Sequence, residues 1–276
     1  MMAHDYASPP PEMKVALVVK YGGNAMAEPG GGRDPLLAEV AALWHAGQAV
    51  VLVHGGGPEI DAALAQCGVA TQRIDGHRVT DAATLGITEA VLCGSLNKRL
   101  VRACTMLGLP AVGISGQDGG TLRARRATGT HGEDLGYVGE ITRVEPKLLQ
   151  TLLAQGFLPV VAPLALAQDA SHAYNVNADL AAGAIAAALH AEAFVLVTNV
   201  PRVLRDVEDP TSGIDRFTAD QASTFAHTNA CRNSMKPKLL AAAIAARNGA
   251  AAAYICAITA NPIASALSGN CTLVSS

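Results

Sequence analysis

Short apolar runs alternate with longer helical patterns along this chain, and this alternation limits the fold more than any other feature. Each run is too short for a helix and almost entirely aliphatic, as in strands that are buried on both faces. The predicted strands are Val15 to Lys20, Val50 to His54, Ala111 to Ser115, Pro159 to Ala162, Phe194 to Thr198 and Ala253 to Ile258. The predicted helices are Asp34 to Gln48, Glu59 to Cys67, Asp81 to Met106, Pro146 to Gln155, Ala178 to His190 and Lys236 to Asn248. The alternation predicts an α/β protein, a three-layer αβα sandwich around a mostly parallel open sheet.

Two intervals interrupt this alternation. Residues 117 to 145 contain several arginines and a turn-rich stretch, which predicts an extended or hairpin excursion. Residues 199 to 235 are rich in Pro, Asp, Thr and Asn and predict a long irregular insert, of the kind that often forms a lid or a crossover.

Composition excludes several classes of protein. With 276 residues, of which 50% are hydrophobic and 16% charged, the chain can bury a sizeable core. A formal charge of −3 with dispersed basic residues argues against a nucleic-acid partner. No stretch offers the roughly 20 strongly apolar residues of a membrane span. The polar, Pro-rich residues 1–13 predict a disordered leader and no signal peptide, and the six scattered cysteines are expected to be reduced, so we expect a cytoplasmic protein.

Glycines follow the first two predicted strands. The first strand ends in Lys20-Tyr21-Gly22-Gly23-Asn24 and the second in the sequence HGGGPE, residues 54 to 59. Carboxyl ends of neighbouring parallel strands share one crevice, where glycines let backbone N–H groups approach an anion. Neither segment is a Walker A loop or a dinucleotide fingerprint, and each alone also fits a tight strand-to-helix turn. Together, and with Lys20 beside one of them, they indicate a phosphate site, unless Lys20 simply extends to solvent.

Two basic residues lie near the N-termini of predicted helices. Arg78 precedes a helix that Thr80 or Asp81 can cap, where it could hold a carboxylate bidentately or be an ordinary surface arginine. Lys238 falls in the first turn of the last long helix, where a cation opposes the macrodipole unless an anion is shared. The neighbouring Lys236 is equally compatible with a solvent-exposed position.

Asn175, Asn177 and Asp179 occupy alternate positions before an Ala-rich helix. Alternation places them on one side of an extended segment, which suggests a binding site. Simple N-capping by Asn177 or Asp179 is the competing explanation.

These segments together resemble a known family. The motifs are KYGGNAM, VHGGGPEI, RVTDAATL, VGISGQDGG, DLGYVGEI, PVVAPLA, YNVNADLAA and MKPK. In this order they resemble the N-acetylglutamate kinases of the amino-acid kinase superfamily, in register from about Lys14 to Asn248.

The resemblance implies phosphoryl transfer from Mg-ATP to the γ-carboxylate of N-acetyl-L-glutamate, a step of arginine biosynthesis. Such chemistry depends on positioning and charge neutralisation. By the matched motifs, Lys20 would contact the transferred phosphoryl group, Lys238 the side of the leaving group, and Asp179 would hold both lysines. Mg²⁺ would be held mainly by ATP and water, without a protein metal site.

The resemblance also assigns the binding residues. Those for the acyl amino acid would be Gly56, Gly57, Arg78 and Asn175. Those for phosphate and nucleotide would be Gly22, Gly23, Thr198, Asn199 and Met235. The glycines would act through backbone N–H donors.

Family architecture implies two lobes. Residues 14–190 would bind the acyl amino acid and dimerise, partly through the long helix matching Thr80 to Met106, and residues 191–276 would bind the nucleotide, with a boundary near His190. Relatives that form arginine-inhibited hexamers carry an additional N-terminal helix. The short leader here implies a homodimer without that feedback.

Departures from the family pattern fall in the nucleotide lobe. Asn199 replaces an acidic residue, Ser234 replaces a glycine, and the last two segments of the chain differ from the family pattern. Altered ATP binding is one expected consequence. Two alternatives stay open from the sequence: a kinase for another acyl acidic amino acid, such as carrier-bound α-aminoadipate, and a catalytically impaired regulatory or binding paralogue.

Overall fold

An eight-stranded sheet forms the centre of the protein in the computed structural model, which describes residues 15–22, 34–232 and 234–276. Its strands are β1 (Val15–Tyr21), β2 (Ala49–His54), β5 (Ala111–Ser115), β8 (Leu158–Ala162), β11 (Ala193–Thr198), β14 (Arg216–Thr218), β15 (Ala253–Ala257) and β16 (Thr272–Ser275). Their order across the sheet is β14-β16-β15-β11-β1-β2-β8-β5. Every neighbouring pair is parallel except β15 with β16. The predicted mostly parallel α/β fold is therefore confirmed.

Shorter strands lie outside this sheet. Four of them close into a ring: β6 (Leu122–Thr128), β7 (Asp134–Val144), β9 (Leu164–Ala167) and β10 (Ala173–Asn175). Two further pairs are β3 (Arg73–Ile74) with β4 (His77–Arg78), and β12 (Val203–Leu204) with β13 (Gly213–Ile214). The hairpin predicted within residues 117 to 145 is β6 with β7.

Helices cover both faces of the sheet. Those described are α1 (Pro35–His45), α2 (Gly57–Gln66), α3 (Ala82–Glu89), α4 (Asn97–Met106), α5 (Lys147–Ala154), α6 (Ala178–Ala188), α7 (Ala219–Phe225), α8 (Lys236–Arg247) and α9 (Pro262–Leu267). The long helix predicted from Asp81 to Met106 is interrupted, because residues Ala90–Leu96 between α3 and α4 are π-helical. The insert predicted over residues 199 to 235 contains three short strands and α7, so it is less irregular than expected.

Strand β1 shows how the sheet is buried on both faces. Val18 belongs to a core cluster with residues of α6 and α8, whereas Leu17 and Val19 belong to a second cluster with residues of α1 and α9. Side chains of a strand alternate between faces, so this continuous apolar run serves two layers at once. By the same alternation, Lys20 shares the face of Val18, which α6 and α8 cover.

Helices α6 and α8 pack unusually close to one another. A Cβ atom on Gly183 of α6 would lie 2.5 Å from the carbonyl oxygen of Ala241 in α8. Small residues along both helices permit this approach, since larger side chains would hold the backbones apart. The contact brings the amino ends of the two helices together beside the end of β1.

The arrangement of the strands places the carboxyl end of β1 between those of β2 and β11, with Lys20 aligned to Val53 and Leu196. Ligands of open α/β sheets bind at such an edge. Within the described ranges, no helix is long and apolar enough to cross a bilayer. Residues 1–13, Gly23 and Asn24, which the sequence analysis singled out, lie outside the described residues.

Candidate active site

Two lysines and one aspartate meet at the carboxyl end of β1. Lys20 Nζ lies 2.8 Å from Asp179 Oδ1, and Lys238 Nζ lies 3.0 Å from Asp179 Oδ2. Asp179 is the second residue of α6 and Lys238 the third of α8, so the close packing of the two helices delivers both side chains. Each carboxylate oxygen therefore holds one ammonium group.

Burial and charge oppose each other at Asp179. Burial alone would raise the pKa of this carboxyl group, but the ammonium groups of Lys20 and Lys238 outweigh it and hold the pKa below the ordinary value. Asp179 is thus ionised at neutral pH. Two cations and one anion leave the cluster with one net positive charge, in a place where the three side chains are less than a fifth exposed. An anionic ligand would balance that charge.

Lys20 borders two clefts. The larger, of about 460 Å³, lies on the side of β11 and α8, and Lys238 lines it together with Lys20. The smaller, of about 240 Å³, lies on the side of α2 and the β3–β4 hairpin, and Asp179 lines it together with Lys20. The ammonium of Lys20 therefore lies between two spaces, each large enough for part of a small molecule.

Arg78 is the buried cation of the smaller cleft. It lies in β4, and its guanidinium donates through Nη1 to Asp61 Oδ1 and through Nη2 to the carbonyl oxygen of Gly57 at 3.3 Å. Asp61 also accepts from Arg73 Nη2 at 2.9 Å, and Arg73 lines the same cleft. Although partial burial raises the pKa of Asp61, the hydrogen bond and charge of Arg78 and the charge of Arg73 bring it below its ordinary value. Two arginines and one ionised aspartate leave this end of the cleft net positive.

The alternating polar residues of the YNVNAD segment are divided between two roles. Asn177 is the N-cap of α6, where its side chain accepts from the backbone N–H groups of Asp179 and Leu180. Asp179 caps nothing and faces the lysines instead. Asn175 lies in β10, and its Nδ2 is 3.3 Å from Thr80 Oγ1. All three polar residues of the segment line the smaller cleft.

The glycines predicted at the site differ in how tightly they are packed. Gly56 and Gly57 line the smaller cleft and Gly22 the larger one. A Cβ atom on Gly56 would lie 2.6 Å from Leu96 Cδ2, whereas one on Gly57 would meet nothing within 4 Å. A Cβ on Gly22 would lie 3.4 Å from Lys20 Nζ. Gly56 is thus required by packing, while Gly22 leaves room for the ammonium group.

Predicted nucleotide-binding residues line the larger cleft. Thr198, Asn199 and Met235 line it, as does Ser234, which stands where the family pattern has glycine. Apolar side chains, among them Val197 and Phe225, form part of the wall. A cleft with an apolar wall and a cationic end suits a base at one end and phosphates at the other.

The sequence analysis missed Arg73 and Asp61. The signal was present: Asp75 and Gly76 both have positive φ, at 51° and 82°, and join β3 to β4 in the two-residue hairpin that Asp-Gly favours. Recognition of that turn would have paired Arg73 with Arg78 across the hairpin. Asp61 carried no comparable signal, because its place depends on the packing of α2 against the hairpin.

Comparison with known proteins identifies the family. The model of the amino acid kinase family matches residues 16–257, which include the three charged residues at the end of β1. Fold and site together define a protein of this class.

Curated relatives identify a narrower group. An acetylglutamate kinase of Brevibacillus brevis is 40% identical over 258 residues, which cover 93% of this chain and 95% of the relative. Another, of Caldanaerobacter subterraneus subsp. tengcongensis, is 41% identical over 239 residues, or 87% of this chain and 79% of the relative. The chain belongs to the acetylglutamate kinase family within the amino acid kinases.

Solved structures share the fold. The protein smu.665 of Streptococcus mutans UA159 superposes with a TM-score of 0.76 at 24% identity, covering 95% of this chain and 99% of that chain. A carbamate kinase of Giardia lamblia bound to AMP-PNP superposes with a TM-score of 0.69 at 17% identity, covering 94% and 98%. At these identities the likeness concerns the fold alone.

Proposed function

We propose that this protein transfers the γ-phosphoryl group of Mg-ATP to the γ-carboxylate of N-acetyl-L-glutamate, giving N-acetylglutamyl 5-phosphate and ADP. The observation that carries the proposal is that Lys20, fixed by Asp179, borders both clefts. A donor in one cleft and an acceptor in the other would meet at this ammonium group. The curated relatives with about 40% identity are acetylglutamate kinases, which supports this pair of substrates.

The smaller cleft would hold the acyl amino acid. Arg78 is largely buried, and with Arg73 it leaves a positive end after Asp61 is counted. A guanidinium binds a carboxylate bidentately, so this end would take the α-carboxylate, with Asn175 beside it. The γ-carboxylate would then extend toward Gly56 and Gly57, and toward Lys20.

The transfer itself would need little acid–base chemistry. An oxygen of the γ-carboxylate forms a bond to the γ-phosphorus as the bond from that phosphorus to the β–γ bridging oxygen breaks, and the electron pair leaves with ADP. Charge on the moving phosphoryl group would be met by Lys20 and by backbone donors of the glycine turns. Lys238, on the side of the larger cleft, would meet the charge that grows on ADP. Asp179 would keep both ammonium groups at fixed positions before the substrates arrive.

Mg²⁺ would enter as part of the Mg-ATP substrate. Both oxygens of Asp179 are engaged by lysines, and among the described residues no group of three or more His, Cys, Asp or Glu side chains could hold a metal ion. As the resemblance implies, phosphate oxygens and water would supply most of its ligands. Asn199 and Ser234 line the nucleotide cleft, so their departure from the family pattern would tune ATP affinity without touching the lysines.

Further features remain proposals that rest on the resemblance. We place the lobe boundary near His190, since the strands after it, β11 and β14 to β16, occupy one half of the sheet. A homodimer partly formed by the helical run from Ala82 to Met106 is expected, as are cytoplasmic localisation and a role in arginine biosynthesis. Gel filtration with light scattering and an arginine titration test the oligomer and its regulation.

The activity is tested by incubating the protein with Mg-ATP, N-acetylglutamate and hydroxylamine, which traps an acyl phosphate as a hydroxamate. N-acetylaspartate and α-aminoadipate serve as comparison substrates. Hydroxamate should form with N-acetylglutamate at least tenfold faster than with either. Absence of product, with N-acetylglutamate still binding in calorimetry, would contradict the proposal. It would instead support a catalytically impaired binding paralogue. Neither that alternative nor the α-aminoadipate kinase is favoured by the relatives.

A matched pair of lysines tests the assignment of the cluster. Lys238 and Lys236 lie two residues apart in the first turn of α8, but Lys236 lines neither cleft. Lys238→Ala should lower kcat by about 10² to 10³-fold, the cost of about 3 to 4 kcal/mol of lost charge stabilisation. Lys236→Ala should keep kcat within about threefold, and equal losses in the two variants would remove Lys238 from its role.

A further inference from the structure

A buried histidine stands directly behind the glycine turn of β2. His54 is the last residue of β2 and is fully buried. Its Nδ1 lies 2.9 Å from the carbonyl oxygen of Gly55. Because a carbonyl oxygen only accepts, Nδ1 carries the hydrogen and donates, which leaves Nε2 as an acceptor in the neutral ring.

Asn97 supplies the donor for that acceptor. Its Nδ2 is 3.1 Å from His54 Nε2, and it also donates to the carbonyl oxygen of Val160 at 2.9 Å, with that of Ile114 at 3.3 Å. Asn97 is completely buried, and its Oδ1 accepts from Lys98 Nζ. The amide is therefore anchored to strands β8 and β5, and through the imidazole it holds the peptide of Gly55.

The π-helical segment Ala90–Leu96 reaches the same turn from another side. Leu92 and Leu96 are 1% exposed, and their methyl groups would lie 2.8 and 2.6 Å from a Cβ on Gly56. Asn97 follows this segment directly as the first residue of α4. π-Helical insertions are frequent at functional sites. This one places Leu92 and Leu96 against Gly56 and places Asn97 beside His54.

His54 is neutral at neutral pH. Burial, together with the charges of Arg99 on α4 and Lys20 on β1, lowers its pKa to about 4 against the raising effect of the hydrogen bond to Gly55. The imidazole is thus a neutral, fixed link between Asn97 and Gly55. Both ring nitrogens are engaged in these hydrogen bonds, which fits a role in orientation.

We propose that Asn97 and His54 are positioning residues that fix the Gly55–Gly56 peptide, so that its backbone donor, the N–H of Gly56, faces the phosphoryl group during transfer. This inference rests on the proposed function. Backbone donors act on developing charge only at a set position, and a displacement of about 1 Å can cost about 10²-fold in rate. Neither side chain lines either cleft itself, so the effect should fall on turnover more than on substrate affinity.

Asn97→Leu tests the link, since leucine has a similar volume and no donor. We expect kcat to fall at least tenfold, with KM for ATP and for N-acetylglutamate within about threefold of the parent. Two control variants distinguish a displaced Gly55–Gly56 peptide from a general loss of protein stability. Thr88→Val changes a buried polar residue of α3, and Leu100→Ala weakens the packing of α4, and neither residue lines either cleft. Both should keep kcat within about twofold at a temperature where they are folded. A parental kcat in Asn97→Leu, or an equal loss in Leu100→Ala, would overturn the inference.

A spectroscopic measurement keeps the test independent of activity. In the parent, ¹⁵N signals of His54 should report a neutral ring with hydrogen on Nδ1. In Asn97→Leu that tautomer preference should weaken, and the amide signals of Gly55 and Gly56 should shift while that of Gly22 stays. Where Asn97→Leu does not fold, His54→Asn, which keeps a donor for Gly55 and loses the link to Asn97, takes its place in the kinetic measurement and in that of the glycine amide signals. Unchanged glycine signals refute the positioning role, whereas an inactive parent protein refutes the proposed function alone.

Discussion

Replacing Asp179 by asparagine removes the carboxylate that lies between Lys20 and Lys238 while preserving its shape. The two ammonium groups, at 2.8 and 3.0 Å from its oxygens, would then face one another without an anion between them. Two unit charges about 5 Å apart repel by about 3 kcal/mol at an effective dielectric constant of about 20. Breaking a buried ion pair by removing one partner typically costs about 3 to 5 kcal/mol, so we expect a loss of this size in the free energy of unfolding.

The loss should depend on pH in a defined direction. Because the folded pKa of Asp179 lies below its ordinary value of 3.8, its stabilisation is fully present above that value and is lost as pH falls through the folded pKa. The difference in unfolding free energy between the parent and Asp179→Asn should therefore be constant near neutral pH. It should shrink as the pH falls below about 4, because there the carboxylate of the unfolded parent binds a proton before that of the folded parent does.

Urea unfolding at several pH values measures the stability, and the hydroxamate assay measures turnover. Asp220→Asn is the matched control, since Asp220 pairs with Arg247 at 2.6 Å but its side chain is 88% exposed. Exposed pairs contribute about 0 to 1 kcal/mol, so this variant should be nearly neutral in both assays. Asp179→Asn should lower kcat by about 10²-fold or more, because neither lysine is then held in place. Parental stability and turnover in Asp179→Asn would refute the reasoning.

Two further comparisons use neighbouring residues of the smaller cleft. Arg78→Ala should raise KM for N-acetylglutamate by about 30-fold or more, and Arg73→Ala by less than about tenfold, because Arg78 is buried and Arg73 is half exposed. Steady-state kinetics measure both values. A larger effect at Arg73 would make Arg73, and not Arg78, the main residue that binds the α-carboxylate. Gly56→Ala should lower the melting temperature by several degrees, since its Cβ would meet Leu92 and Leu96. Gly57→Ala has open space and should melt within about 2 °C of the parent, so equal melting temperatures would contradict the packing argument.

The strands and most helices could be predicted because their periodicity is local. A buried parallel strand is a continuous apolar run, and its neighbouring helices repeat at 3.6 residues, so β1, β2 and β11 were found within one or two residues. The interruption of the helix after α3 could not be predicted, because residues Ala90–Leu96 have an ordinary helical composition and their π conformation depends on the strands and turn beneath them.

The charged cluster was predictable only in part. The local sequence patterns indicated Lys20, Asp179 and Lys238 as separate candidate site residues. Each of them also had a structural explanation, such as helix capping or exposure to solvent. Their meeting depends on the close approach of α6 and α8, which tertiary packing decides. Helix α7 was missed although its capping box, Thr218 with Gln221, is a local signal.

The order of strands across the sheet has a consequence for synthesis of the chain. Strand β1 pairs with β2 early, but its other neighbour is β11, so its outer edge stays open until translation has passed from Tyr21 to Ala193. At about 5 to 20 residues per second this interval lasts on the order of 10 to 30 s. An unpaired apolar edge invites association with other chains during that time. Such an edge would expose the ribosome-bound amino-terminal half to this association, and Lys238 joins Lys20 and Asp179 only after α8 has been made.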